Sequence, residues 1–233
     1  MTQVRRRFHE ELEDLERDLM AMGEMAESML GEAIDILVNP EHPAKKAEIE
    51  ALVDRDDAVD DLYLSIERRW HEVMAMQTPV AVDLRLMSAM LHINAHLERM
   101  ADVAVNIAKT ARKVRRLPTS DVILGYIREM GDVARHMIRT AMESFATRNH
   151  ELATQLPDMD DDVDRLNGRM YREVRKCDED SELLEWGIRM MVISRHLERV
   201  GDHAVDIAEQ VAFLLTGVFR EFNEDTSPDV DDD

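Results

Sequence analysis

The stretch HLERMADVAVNIA, His96–Ala108, returns as HLERVGDHAVDIA at His196–Ala208, an offset of 100 residues. In the first copy, Leu97, Met100, Ala104 and Ile107 extend a stripe that begins at Leu86, Met90 and Ile93 and ends at Ala111. Steps of three and four place these residues on one helix face. Working back along the chain, the duplication continues. Asp56, Val59, Asp60 and Leu62 match Asp160, Val163, Asp164 and Leu166 at an offset of 104, and Met22-Gly23-Glu24 matches Met130-Gly131-Asp132 at 108. Three segments that keep their order while the offset falls by four indicate a duplicated unit of three helices. They also predict interhelix connections about four residues shorter in the second copy. A period near 100 is too long for a solenoid repeat of ~20–50 residues.

The first helix carries the cleanest seam: Leu12, Leu15, Leu19, Met22, Ala26, Met29, Ala33 and Ile36. Such a sustained heptad stripe belongs to a long helix in antiparallel or coiled-coil packing. Asn39-Pro40 ends it and Pro43 opens the next element. The second helix keeps the spacing through Ile49, Leu52, Asp56, Val59, Tyr63, Ile66, Trp70 and Val73, with an aspartate in the seam. Gln77-Thr78-Pro79 is a turn, and Leu117-Pro118-Thr119-Ser120-Asp121 a break and a new helix cap. The expected fold is all-α: one three-helix bundle over residues 1–116 and a second over 119–217. Residues 218–233 form an acidic tail without periodicity, expected to be disordered.

Composition agrees with helices. The 233 residues include only 8 Gly, 6 Pro and 4% aromatics, which disfavours sandwiches, barrels and glycine-loop folds, while 17 Met suit a helical core. The formal net charge of -21 opposes binding to nucleic acid or anionic lipid. One cysteine, Cys177, leaves no disulfide framework and reads as packing. No apolar run follows the basic N-terminal residues, and none is long enough to span a membrane. The cytoplasm is the expected compartment.

The chemistry lies in carboxylates four apart, which share a helix face. Asp56 and Asp60 pair on the second helix, and Glu98 and Asp102 on the third, with Asn106 one turn on; the copies are Asp160, Asp164, Glu198, Asp202 and Asp206. A carboxylate in a seam position is costly unless paired or bound to a metal. Acid rows are commonly just solvated faces, and Arg99 and Arg199 stand beside the glutamates. Duplication of both pairs, with an acid in the seam twice, favours a metal site in each bundle. Oxygen ligands suit hard cations. His96 and His196 read as polar surface or capping residues, and His203 as a non-ligand ahead of a place in the Asp202 site. No Glu-x-x-His occurs, which counts against a ferritin-like di-iron oxidase. Phosphate loops, HExxH and nucleophile elbows are absent as well. A metal storage or redox protein is the alternative reading of these clusters, and a metal-free helical scaffold a third.

At these residues the chain resembles the PhoU family. HLERMADVAVNIA and HLERVGDHAVDIA resemble its helix motif, and MQTPVAVDLRLM at Met76–Met87 its loop between second and third helices. The resemblance spans roughly residues 8 to 217. It implies a non-enzymatic regulator of phosphate homeostasis, often a homodimer. Such a protein acts at the cytoplasmic face of the phosphate ABC transporter, through its ATPase subunit. It represses phosphate-starvation signalling by a sensor histidine kinase, and reaches the membrane only through these partners. Metal clusters on E(D)xxxD motifs are also implied. These fall on Asp56, Asp60, Glu98, Asp102, Asp160, Asp164, Glu198 and Asp202, with the ion open among Fe, Mn, Mg and Zn. Ala101 and Asp206 depart from the family pattern, where Gly and Asn are common, so the two bundles are expected to differ in metal affinity.

Overall fold

The structure is a computed structural model that describes residues 3–39 and 45–222. Most of the expected acidic tail, 223–233, and the two prolines at 40 and 43 lie outside the described residues. The described residues form six long helices: α1 (Gln3–Val38), α2 (Lys46–Gln77), α3 (Val82–Val114), α4 (Asp121–Thr147), α6 (Leu156–Val174) and α7 (Ser181–Thr216). A four-residue helix, α5 (His150–Ala153), precedes α6, and a 3-10 turn, Arg175–Cys177, follows it. Among the described residues there is no strand. Helices α1–α3 make the first bundle and α4–α7 the second, and most of the seam residues are buried. Leu12, Leu15, Leu19, Met22, Ala26, Met29 and Ala33 are all buried on α1, with Ile36 half-buried at its end. Several methionines, Met90 and Met190 among them, are wholly buried, so they fill the core as expected.

The duplicated glycines explain how the bundles meet. Helix α1 crosses α4, and α3 packs along α7. A Cβ at Gly23 would lie 2.9 Å from Met142, and one at Gly131 2.9 Å from Ile34. Ile34 and Met142 are themselves related by the offset of 108. The two contacts are thus one contact repeated by a pseudo-two-fold axis, and glycine sits where the backbones come closest. At the same crossing Glu27 accepts from Arg135 Nε at 2.9 Å and Arg139 Nη1 at 2.8 Å.

The expected shortening of the second copy is taken up in two ways. Residues 39–45 join α1 to α2, whereas only Arg148 and Asn149 separate α4 from α5, as expected. Asn149 Oδ1 accepts from Glu151 N and Leu152 N and starts the new helix. At the second junction the connection is not shorter; the helix is. α2 runs to Gln77, but α6 stops at Val174, the counterpart of Trp70. Cys177 is buried in the turn that follows, as packing. Asp180 then caps α7 by accepting from Glu182 N and Leu183 N.

The loop between α2 and α3 reaches the other bundle. Thr78 and Ala81 adopt positive φ, 42° and 51°, around Pro79. This sharp reversal starts α3 so that Arg85 Nε donates to Leu214 O at 3.1 Å, near the end of α7. A guanidinium suits the negative end of a helix. Gly217 closes α7 at φ 74°, and any side chain there would strike Arg85, 2.6 Å from the Cβ position.

Candidate functional site

In each bundle the second helix lays its acid pair against that of the third. A buried polar tie sets the register one turn before the glutamate. Asn94 Nδ2 donates to Tyr63 O at 3.1 Å in the first bundle, and Ser194 Oγ donates to Asn167 Oδ1 at 2.7 Å in the second. These pairs occupy duplicated positions, Asn94 with Ser194 and Tyr63 with Asn167. No motif advertises them, because the side chains differ between copies.

All eight expected residues fall into two quartets: Asp56, Asp60, Glu98 and Asp102 in the first bundle, and Asp160, Asp164, Glu198 and Asp202 in the second. The acids of a quartet repel one another. Burial, then Asp102 and Asp60, push Asp56 up to about 6. Burial, then Asp202, Asp164 and Glu198, push Asp160 up to about 7. Asp60, Glu98, Glu198 and Asp202 are raised too, burial being the largest cause in each. Arg195 pairs with Glu198 and offsets part of the charge.

The quartets are not equivalent. Asp160 is 8% exposed, and its Oδ1 is buried without a hydrogen-bond partner. This oxygen lies 2.3 Å from the position a Cβ on Gly201 would take. Gly201 therefore lets Asp160 nest against α7. In the first bundle Ala101 stands at the duplicated position, and Asp56 is only half-buried. An orphaned carboxylate oxygen ringed by acids fits a hard cation, so the residues present suit a metal. No three described acids of a quartet bring one oxygen each within 4.8 Å of one another, however. Among the described residues, the set of three His, Cys, Asp or Glu donors within 4.8 Å of one another is His96, His203 and Asp206.

That cluster corrects one reading of the sequence. His96 is not a cap or an open surface residue: it is half-buried on α3 against α7, and its Nδ1 lies 3.2 Å from His203 Nδ1. The juxtaposition joins residues from different bundles, and only the packing of α3 on α7 reveals it.

Replacing Gly201 with alanine is expected to expel the Asp160 carboxylate and make the second quartet resemble the first. The Asp160 pKa should fall from about 7 toward the value of about 6 seen for Asp56. Helix propensity favours alanine by about 1 kcal/mol, so the fold should survive. Carboxyl-carbon NMR titration measures the shift, and an unmoved pKa would contradict the nesting.

The same fold occurs in known proteins. A family model described as the PhoU domain matches the chain twice, over residues 19–111 and 127–211, one match per bundle. The chain belongs to the PhoU family. It is 30% identical over 223 residues to a phosphate-specific transport system accessory protein PhoU homolog of Clostridium acetobutylicum, covering 95% of this chain and 100% of the relative. A homolog 1 of the same description from Methanothermobacter thermautotrophicus is 31% identical, covering 90% and 94%. The crystal structure of PhoU from Pseudomonas aeruginosa superposes with a TM-score of 0.82 at 29% identity, over 91% of this chain and all of that one. The phosphate transport system regulatory protein PhoU from Streptococcus pneumoniae also gives 0.82, at 23% identity, a likeness of fold.

Proposed function

We propose that this chain is a non-enzymatic accessory protein of a phosphate-specific transport system. It works at the cytoplasmic face of the transporter, against the ATPase subunit. It keeps a sensor histidine kinase from signalling starvation while phosphate is plentiful. The observation that carries the reading is the family match over both bundles, at about 30% identity to accessory proteins along nearly their whole length. The acidic character, net charge -21, favours protein partners over nucleic acid or lipid headgroups. No helix among the described residues is long and apolar enough to cross a membrane, which is consistent with reaching it through partners. Met76, Val80, Val82 and Leu84 stand exposed around the α2–α3 loop, with Val218 and Phe219 exposed just past the end of α7 that Arg85 caps. Exposed apolar residues gathered at one end of a molecule suit a docking partner.

The two carboxylate quartets are the metal sites of this reading, through Asp56, Asp60, Glu98 and Asp102, and through Asp160, Asp164, Glu198 and Asp202. A bound cation relieves the repulsion within each quartet and fixes the second helix against the third, a rigid surface for the partners. The working form is a homodimer. Deleting the gene is expected to derepress a phosphate-responsive reporter in phosphate-rich medium and to raise phosphate accumulation. Wild-type levels of both in the deletion strain would assign this chain another task.

A further inference from the structure

We propose that His96, His203 and Asp206 form a site for a divalent transition-metal ion of the zinc type, which clamps α3 of the first bundle to α7 of the second. The site uses none of the eight quartet residues and differs from them in chemistry. Its three donor atoms already have the right mutual spacing. His96 Nδ1 and His203 Nδ1 are 3.2 Å apart, and Asp206 Oδ2 lies 3.5 Å from the first and 3.6 Å from the second. Tetrahedral ligands at zinc–nitrogen and zinc–oxygen distances of about 2.0–2.2 Å stand about 3.3–3.6 Å from one another. The two ring nitrogens are within hydrogen-bond distance of each other, but the Asp206 oxygen is too far for a good hydrogen bond to either ring, so hydrogen bonding does not account for the place of the carboxylate.

Both imidazoles are sheltered, with 14% and 11% of their side chains exposed, while Asp206 is 46% exposed and leaves an open side for entry and for a water ligand. A neutral imidazole coordinates through the lone pair of its unprotonated ring nitrogen. Arg99 also lies near His96 and Asp206, and its charge opposes a cation. Coordination by imidazole, rather than bulk negative charge, must therefore supply the affinity. That favours zinc-type ions over magnesium or calcium.

The duplication supplies an internal contrast. At the positions related by the offset of 100, the chain carries His196, Val103 and Asn106. The pseudo-symmetric place keeps a single imidazole, so one clamp is expected, not two.

The full chain, stripped of metal, is titrated with Co2+. Six-coordinate cobalt on carboxylates is pale, whereas four-coordinate cobalt on two imidazoles absorbs strongly in the visible. Intense bands that saturate at one equivalent and disappear on adding Zn2+ are expected. They should persist in Asp56→Asn/Glu98→Gln, which disables a quartet and spares the clamp. They should vanish in His96→Gln. Asp206→Asn, on the exposed rim where the fold is not at stake, should weaken Co2+ binding by at least ~10-fold, since losing even an outer-shell partner costs roughly 10–100-fold. Absence of intense bands in the wild type overturns the proposal, as do undiminished bands in both His96→Gln and Asp206→Asn.

Discussion

Asp160→Asn is expected to raise the melting temperature of the metal-free protein at pH 8. The sign follows from the raised pKa. A carboxylate that titrates near 3.9 in the unfolded chain and at about 7 in the fold prefers its protonated form when folded. Its favourable contribution is complete below pH 4 and is lost as pH climbs through about 7. At pH 8 the wild type therefore carries a buried anion beside Asp164, Glu198 and Asp202, with one oxygen unpartnered. Asparagine keeps the shape and removes the charge. A shift of this size corresponds to about 2–4 kcal/mol once shared among coupled acids, hence roughly 5–15 °C at ~2–4 °C per kcal/mol for a chain of this length. At pH 4 the two proteins should melt together. Saturating Mn2+ should reverse the order at pH 8, because only the wild type gains binding energy from the second quartet as well as the first. Equal melting points at pH 8 without metal would mean that Asp160 is not held where the structure places it.

Trp186→Ala is expected to be among the most destabilising single changes, by about 3–5 kcal/mol. Trp186 is 1% exposed, the bulkiest of the wholly buried side chains. Its place follows from the early end of α6. In the first bundle the corresponding layer has Trp70 on α2 and Leu86 on α3; in the second it has Val174 and Trp186. The large ring has changed helices. Trp70 is half-buried and donates through Nε1 to Met87 O at 2.5 Å. Trp186 instead fills the space left where α6 stops, next to Gly187, whose Cβ position lies 3.2 Å from Val174. Denaturant unfolding of both variants checks this: Trp70→Ala should cost less. A cost below about 1 kcal/mol for Trp186→Ala would show that the layer repacks without it.

Much of this architecture was legible because it is written in periods. A seam residue recurs every three or four positions whatever its neighbours do, and duplication repeats the seam at a fixed offset. The quartets were legible for the same reason, since i and i+4 on two adjacent helices fix a face. What the sequence hid depends on contacts between helices far apart in the chain. His96 and His203 look like unrelated polar residues until α3 lies along α7. Arg85 looks like part of a loop motif until the end of α7 arrives beside it. The early stop of α6 was hidden because Tyr171 to Lys176 contain no glycine or proline to mark it. The inequality of the quartets was foreshadowed by Gly201 against Ala101, but its sense required seeing Asp160 Oδ1 against the missing Cβ.

The central claim is that the paired carboxylates bind hard cations, one quartet per bundle. The direct measurement is the Mn2+ stoichiometry and melting shift of the stripped full-length protein beside three variants: Asp56→Asn/Glu98→Gln, Asp160→Asn/Glu198→Gln and the combination of all four. Binding to the native state should raise stability by roughly 2.7 kcal/mol at a hundredfold excess over Kd. Each double variant should lose the Mn2+ of its own bundle, and the quadruple variant should keep neither the metal nor the melting shift. A quadruple variant that binds Mn2+ as the wild type does, with the same rise in melting temperature, would contradict the account.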